Sequence, residues 1–191
     1  MRLAITLLFA GLPAFAAVSG TAMNGTSGRP QAGVSINLVQ PGQNGMQQLG
    51  KANSGADGSF TIDVNIPPGP ALLQSTYQGA TYTQPIPPGT PTTGLKVNVF
   101  DATSTPPKGM DIQHLILLEP SAATLRISET FLVRNQSNMT FQDSANGSIR
   151  LYLPEGAPAD TKVSIDSTGV PIQRPLEKGK AAGQFKGLFY R

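Results

Sequence analysis

The 191-residue sequence predicts an all-β protein, two β-sandwich domains in series behind an export leader. Three observations predict this. Apolar and polar residues alternate with period two in several short runs, Gly-containing turn signals separate those runs, and no stretch between them has helical periodicity. Gly (21) and Pro (17) together make about a fifth of the chain, below the level at which such a composition implies disorder.

The leader comes first and is set apart from the fold. Arg2 supplies its positive charge, Leu3 to Leu12 its apolar stretch, and Pro13 interrupts it before Ala14-Phe15-Ala16. An apolar stretch of roughly ten residues is too short to cross about 30 Å of hydrocarbon as a helix. Residues 1–16 are therefore expected to be a Sec-type signal peptide, cut between Ala16 and Ala17, that delivers the protein to the periplasm or the extracellular space. After the leader, the longest strictly aliphatic run is Leu115 to Leu118, so no transmembrane segment is expected in the mature chain.

Residues 17–101 are expected to form the first sandwich. Val34, Ile36 and Leu38 alternate with Ser35 and Asn37; Phe60, Ile62 and Val64 with Ser59, Thr61 and Asp63; Leu95, Val97 and Val99 with Lys96 and Asn98. Each set presents one apolar and one polar face. Asp57-Gly58 reads as a hairpin turn, because Gly accepts a positive φ that a side chain resists. Asn24-Gly25, Ser27-Gly28 and Gln78-Gly79 mark further turns.

A Pro/Ser/Thr stretch, residues 102–109, is expected to join this domain to the next. Charge changes there. Up to Lys108 the mature chain has four basic residues (Arg29, Lys51, Lys96, Lys108) and three acidic (Asp57, Asp63, Asp101), whereas beyond it there are nine and eight. Residues 110–191 alternate again: Leu125 and Ile127 flank Arg126, and Ile149, Leu151 and Leu153 flank Arg150 and Tyr152. Further alternating segments fall near Leu115, at Val163 to Ile165 and at Phe185 to Tyr190.

These residues carry a resemblance. The pattern Val18-x-Gly20, Gly28-x-Pro30-x-x-Gly33-Val34-x-Ile36-x-Leu38, Asp57-Gly58-x-Phe60 and Pro67-Pro68-Gly69 resembles the carboxypeptidase regulatory-like family. That resemblance implies a seven-stranded transthyretin-like sandwich over Val18 to Asp101. It places Gly20 and Gly33 at close-packed strand and turn positions, Phe60 in the core, and Gly69 in a turn before the next strand. Residues Leu125 to Asn138 and Ile149 to Ala157 resemble a second, immunoglobulin-like β domain that follows this module in bacterial envelope proteins. In those relatives the domain continues beyond the point matching Gly183 to Phe185, so the second domain is expected to be incomplete and open to strand exchange or self-association.

Chemistry is narrowed by elimination. With no cysteine there is no disulfide, thiolate metal site or thiol nucleophile. One histidine cannot supply the ligand set of a catalytic zinc, and the acidic residues lack calcium-loop spacing, so neither a metal nor a cofactor is expected. A net charge of +3, or +2 without Arg2, does not point to nucleic acid. No Lys lies between Ala17 and Thr26 to make an isopeptide crosslink from the first strand.

Three readings of function result. The first is a non-catalytic structural or protein-interaction module of a bacterial cell envelope. The second is carbohydrate binding through Tyr77 and Tyr82, the only aromatic pair in the first domain close enough to form a platform. The third is a hydrolase using His114 with Asp111, against which stands the absence of a Gly-x-Ser-x-Gly turn. The basic tail of Arg174, Lys178, Lys180, Lys186 and Arg191 against Glu177 would suit an anionic envelope polymer. An exposed apolar patch or open strand edge would favour the first reading, and exposed tyrosines the second.

Overall fold

A computed structural model describes residues 17–42, 45–153, 162–165, 172–175, 177–178 and 184–187. Residues 1–16, the stretch expected to be a leader, lie outside the described residues, as do Lys180 and Arg191 of the basic tail. The described chain is all-β, a β-sandwich followed by further strands. In chain order the strands are β1 (Ala17–Asn24), β2 (Arg29–Pro30), β3 (Ser35–Gly42), β4 (Gly45–Asn53), β5 (Ser59–Asp63), β6 (Ala71–Tyr77), β7 (Ala80–Ile86) and β8 (Leu95–Val99). Then come β9 (Ala102–Thr103), β10 (Met110–Pro120), β11 (Leu125–Asn135), β12 (Thr140–Phe141) and β13 (Ile149–Tyr152). The last four are β14 (Lys162–Ile165), β15 (Ile172–Pro175), β16 (Glu177–Lys178) and β17 (Gln184–Gly187).

The sandwich consists of seven longer strands and the two-residue β2, in two four-stranded sheets. One has β1 bonded to β2, β5 and β8; the other runs β4-β3-β6-β7. β5 lies antiparallel to β1, with Gly20 opposite Phe60. β8 flanks β1 in parallel: Gly20 approaches Leu95 and Gly25 N donates to Val99 O, so positions advance together along both strands.

The Asp57-Gly58 turn is not a hairpin. It joins β4 of one sheet to β5 of the other, because β5 takes β1 rather than β4 as its partner. Locally the turn has the geometry its residues dictate. Asp57 Oδ1 accepts from Ser59 N at 3.0 Å and Ser59 Oγ at 2.6 Å, and Gly58 adopts φ +75°. β3–β4, β6–β7 and β10–β11 are hairpins, and β14–β15 and β16–β17 are further antiparallel pairs of consecutive strands. Gln78 (φ +46°) and Gly79 (φ +80°) both have positive φ, the pattern of a type I′ turn.

The chain divides into two compact units that cut across β1, β2, β6, β7 and β8. One comprises Met1–Ala22, Pro30–Gln74 and Thr83–Val97; the other Met23–Arg29, Ser75–Tyr82 and Asn98–Arg191. In the first, alternation produces an apolar core of Val18, Val34, Ile36, Leu38, Phe60, Ile62, Leu73, Ile86 and Val97, all buried. Each large side chain so buried contributes roughly 1.5–3 kcal/mol. The register shifts between Leu38 and Val39, which face Gly50 and Gln48 and leave Leu49 of β4 as the extra residue, and Val39 is buried beside its neighbour. The second unit buries Val99, Ala80 and Leu151 together with the polar Asn24, Ser75, Thr140 and Ser148. Here hydrogen bonds must do what apolar contact does in the first unit.

Candidate interaction site

The two tyrosines stand on the two strands of one hairpin, and each is engaged in its own internal hydrogen bonds. Both are half-buried in the second unit. Tyr82 packs on Phe100 with ring centroids 6.0 Å apart, and its hydroxyl lies 2.6 Å from Thr140 Oγ1. The same oxygen donates to Phe100 O and accepts from Phe100 N, both at 3.2 Å. Tyr77 donates to Asp101 Oδ1 at 3.3 Å and accepts from Gln78 Nε2 at 3.1 Å. Burial, and then the negative charge of Asp101, pushes the Tyr77 phenol above its ordinary pKa.

The network extends into the stretch read as a linker. Ala102-Thr103 forms β9, which pairs in parallel with β12, and Ala102 N donates to Gln78 Oε1 at 2.7 Å. Asn24 Nδ2 donates to Asp101 Oδ1 at 2.8 Å. Thr26 Oγ1 accepts from Asp101 N at 2.9 Å and itself donates to Asn138 O. Hydroxyls engaged in this way tie the two rings to backbone and side chains of the fold.

The pattern residues stand as follows. Gly20 lies in β1, where a Cβ would strike Leu95 O and come within 2.9 Å of Phe60 Cζ. Gly33 (φ +72°) occupies a turn with open space where a Cβ would stand, so it is not close-packed, and Gly69 (φ +133°) lies in the bend two residues before β6. Phe60 is buried, Pro30 is exposed in β2, and Asp57 and Gly58 form the inter-sheet turn.

His114 falls in the middle of β10, paired to Phe131 of β11. Its ring stacks on Phe131, centroids 4.0 Å apart and 15° between planes, and its Nε2 lies 2.9 Å from Glu129 Oε2. Asp111, three residues away on a strand, points to the opposite face and cannot orient the imidazole. The drawn pair is therefore not brought together. Among the described residues there is no group of three His, Cys, Asp or Glu side chains placed to hold a metal ion.

The ribbon β10–β11 is the feature that stands apart. Eleven facing pairs, from Met110 with Asn135 to Pro120 with Leu125, make a hairpin about 37 Å long at 3.4 Å per residue. Among the described residues no other strand joins it. One face carries Ile112 with Val133, His114 with Phe131, Ile116 with Glu129, Leu118 with Ile127 and Pro120 with Leu125. The other carries Asp111 with Arg134, Gln113 with Leu132, Leu115 with Thr130, Leu117 with Ser128 and Glu119 with Arg126.

Large apolar side chains are open to solvent on both faces: Leu115 is 68% exposed, Leu118 56% and Ile116 51%. The tip is closed by Ser121 N donating to Thr124 O at 2.8 Å. The base is fixed by Gln136 N to Gly109 O at 3.0 Å and by Asn135, whose side chain bonds Ser137 and Met139. Beside the base lies an open cleft of about 370 Å³, lined among others by Met110, Ile112, Phe131, Phe141, Asp143 and Arg150.

The sequence had one signal for this ribbon, the run Leu115 to Leu118 inside an otherwise alternating stretch. That run hides the period of two and does not show that both faces stay open. Among the described residues no helix is long and apolar enough to cross a membrane.

No protein-family model matches the chain, and no curated protein matches it. Among solved structures there is a similarity to a 9R-lipoxygenase from Cyanothece PCC8801. It is 11% identical and covers 52% of this chain and 18% of the lipoxygenase, at a TM-score of 0.30. A likeness that slight carries no argument about fold or activity.

Proposed function

We propose that the protein is an exported, non-catalytic β-sandwich protein acting as a structural or protein-interaction component of a bacterial cell envelope. Its first sandwich is read as a carboxypeptidase regulatory-like module of transthyretin-like type. The observation that carries this reading is the solvent-open apolar ribbon β10–β11, whose two edges no other strand joins among the described residues, features that attract another polypeptide. The half-buried tyrosines, with hydroxyls bonded inside the fold, support protein rather than glycan as the ligand.

The test has two arms. Envelope fractions of cells expressing the full chain are examined for the protein and its N-terminus, with Ala17 expected as first residue. Purified protein is then tested for capture of envelope proteins and on a glycan panel, alongside Ile116→Asp/Leu118→Asp. Protein capture lost in that variant is the expected result. Glycan binding that survives it and disappears in Tyr82→Phe would overturn the reading in favour of carbohydrate.

A further inference from the structure

On the face opposite His114 and Glu129, the charge of the ribbon is sorted by strand. There β10 carries Asp111 near the base and Glu119 near the tip, and β11 carries Arg134 and Arg126 directly across from them. The free edge of β10 is thus acidic on that face and the free edge of β11 basic. Both strands are eleven residues long, and among the described residues neither edge is covered.

We propose that a second copy of this chain occupies those edges, head to tail. β11 of one copy pairs antiparallel with β10 of the next, in the register already used within each copy. The proposal rests on the ribbon being the protein-binding element and specifies its partner.

Charge decides between the ways two copies could pair along all eleven residues. A two-fold dimer of β10 against β10, centred on Leu115, puts Asp111 opposite Glu119 twice. The corresponding dimer of β11, centred on Thr130, puts Arg126 opposite Arg134 twice. Like charges directly opposite destabilise a strand pair.

Head-to-tail pairing instead sets Asp111 opposite Arg134 and Glu119 opposite Arg126. On the other face it sets Ile112 against Val133 and Leu118 against Ile127. Every pairing that holds the hairpin together inside one chain is repeated between chains. Such an interface is heterologous, so ribbons add into a ring where the rotation closes and a fibre where it does not.

The chain has no native cysteine, which makes the register directly measurable. Full-length chains with Gln113→Cys and with Leu132→Cys are mixed under mild oxidation, and mass is followed by light scattering against concentration. The expected result is a disulfide between the two different chains, with mass rising with concentration. Homodisulfides of Leu115→Cys or Thr130→Cys in place of the mixed one would mean a two-fold dimer and overturn the proposal.

A chain with all four charges exchanged, Asp111→Arg, Glu119→Arg, Arg126→Glu and Arg134→Glu, keeps its internal pairs. It is expected to associate with itself and to crosslink with the native-charge chain about tenfold less. Equal crosslinking of both combinations would show that charge does not choose the mode. A full-length chain that stays monomeric at every concentration overturns the self-association. If it still captures an envelope protein through the ribbon, the broader reading stands; if it does neither, both fail.

Discussion

A methyl group on Gly58 would meet Ala22 O at 2.6 Å and Pro30 Cβ at 2.9 Å, on a backbone already at φ +75°. The left-handed conformation alone costs an L-residue about 1–2 kcal/mol. Gly58→Ala is therefore expected to destabilise by more than about 2 kcal/mol, read by urea unfolding. Next to it, Asp57 is held below the ordinary carboxylate pKa by the Ser59 hydroxyl and then by the Ser59 amide, both donating to it. A depressed folded-state value stabilises the fold above the ordinary carboxylate pKa and is lost as pH falls through the depressed one. The stability difference between the native chain and Asp57→Asn should be present at neutral pH and close below about pH 4. Asp143, lowered by Asn146, has the same sign. A difference that persists at pH 2 would remove the carboxylate from the account. Tyr82→Phe leaves the fully buried Thr140 hydroxyl and the Phe100 amide without that partner. It is expected to cost about 1–3 kcal/mol, and a double-mutant cycle with Thr140→Val should show the two hydroxyls coupled.

Strands and turns differ in how far they could be read from sequence. Val34-Ile36-Leu38 and Phe60-Ile62 have the expected inward faces because alternation is a property of the strand alone. The partner of a strand is not. Asp57-Gly58 states that the chain turns with a positive φ, but β5 passes β4 to reach β1, and that choice depends on residues near position 20. The tyrosines illustrate the same limit: Gln78-Gly79 puts them on the two strands of one hairpin, while their commitment to Asp101 and Thr140 depends on chain far downstream. Gln78 shows why a turn residue can look wrong and still be needed. Asn would accept φ +46° more readily, yet the Gln78 side chain reaches both the Tyr77 hydroxyl and Ala102 N. Each such bond contributes roughly 0.5–1.5 kcal/mol. Gln78→Asn is accordingly expected to lower the melting temperature, although local turn preference alone would raise it; a rise would mean those bonds contribute nothing.

For the whole chain, the sequence boundary after Asp101 falls inside a hydrogen-bonded cluster that joins Asn24, Thr26, Tyr82, Asn138 and Thr140. A fragment of residues 17–101 retains the apolar core of the first unit and is expected to fold, but to melt below the full chain, since Tyr82 and Thr26 lose their downstream partners. Equal melting temperatures would show that the cluster adds no stability. The same cluster has a consequence in time. Thr26 waits for Asn138, 112 residues later, and β8 must come back beside β1 before the β1 sheet is complete. Pairings this remote place the chain among slow folders, milliseconds to seconds rather than microseconds. During synthesis at about 5–20 residues per second, the segment carrying Thr26 exists for several seconds before Asn138 has been made. On the proposed export route the polypeptide would have to stay threadable for that interval, and the late arrival of its closing residues would serve that need.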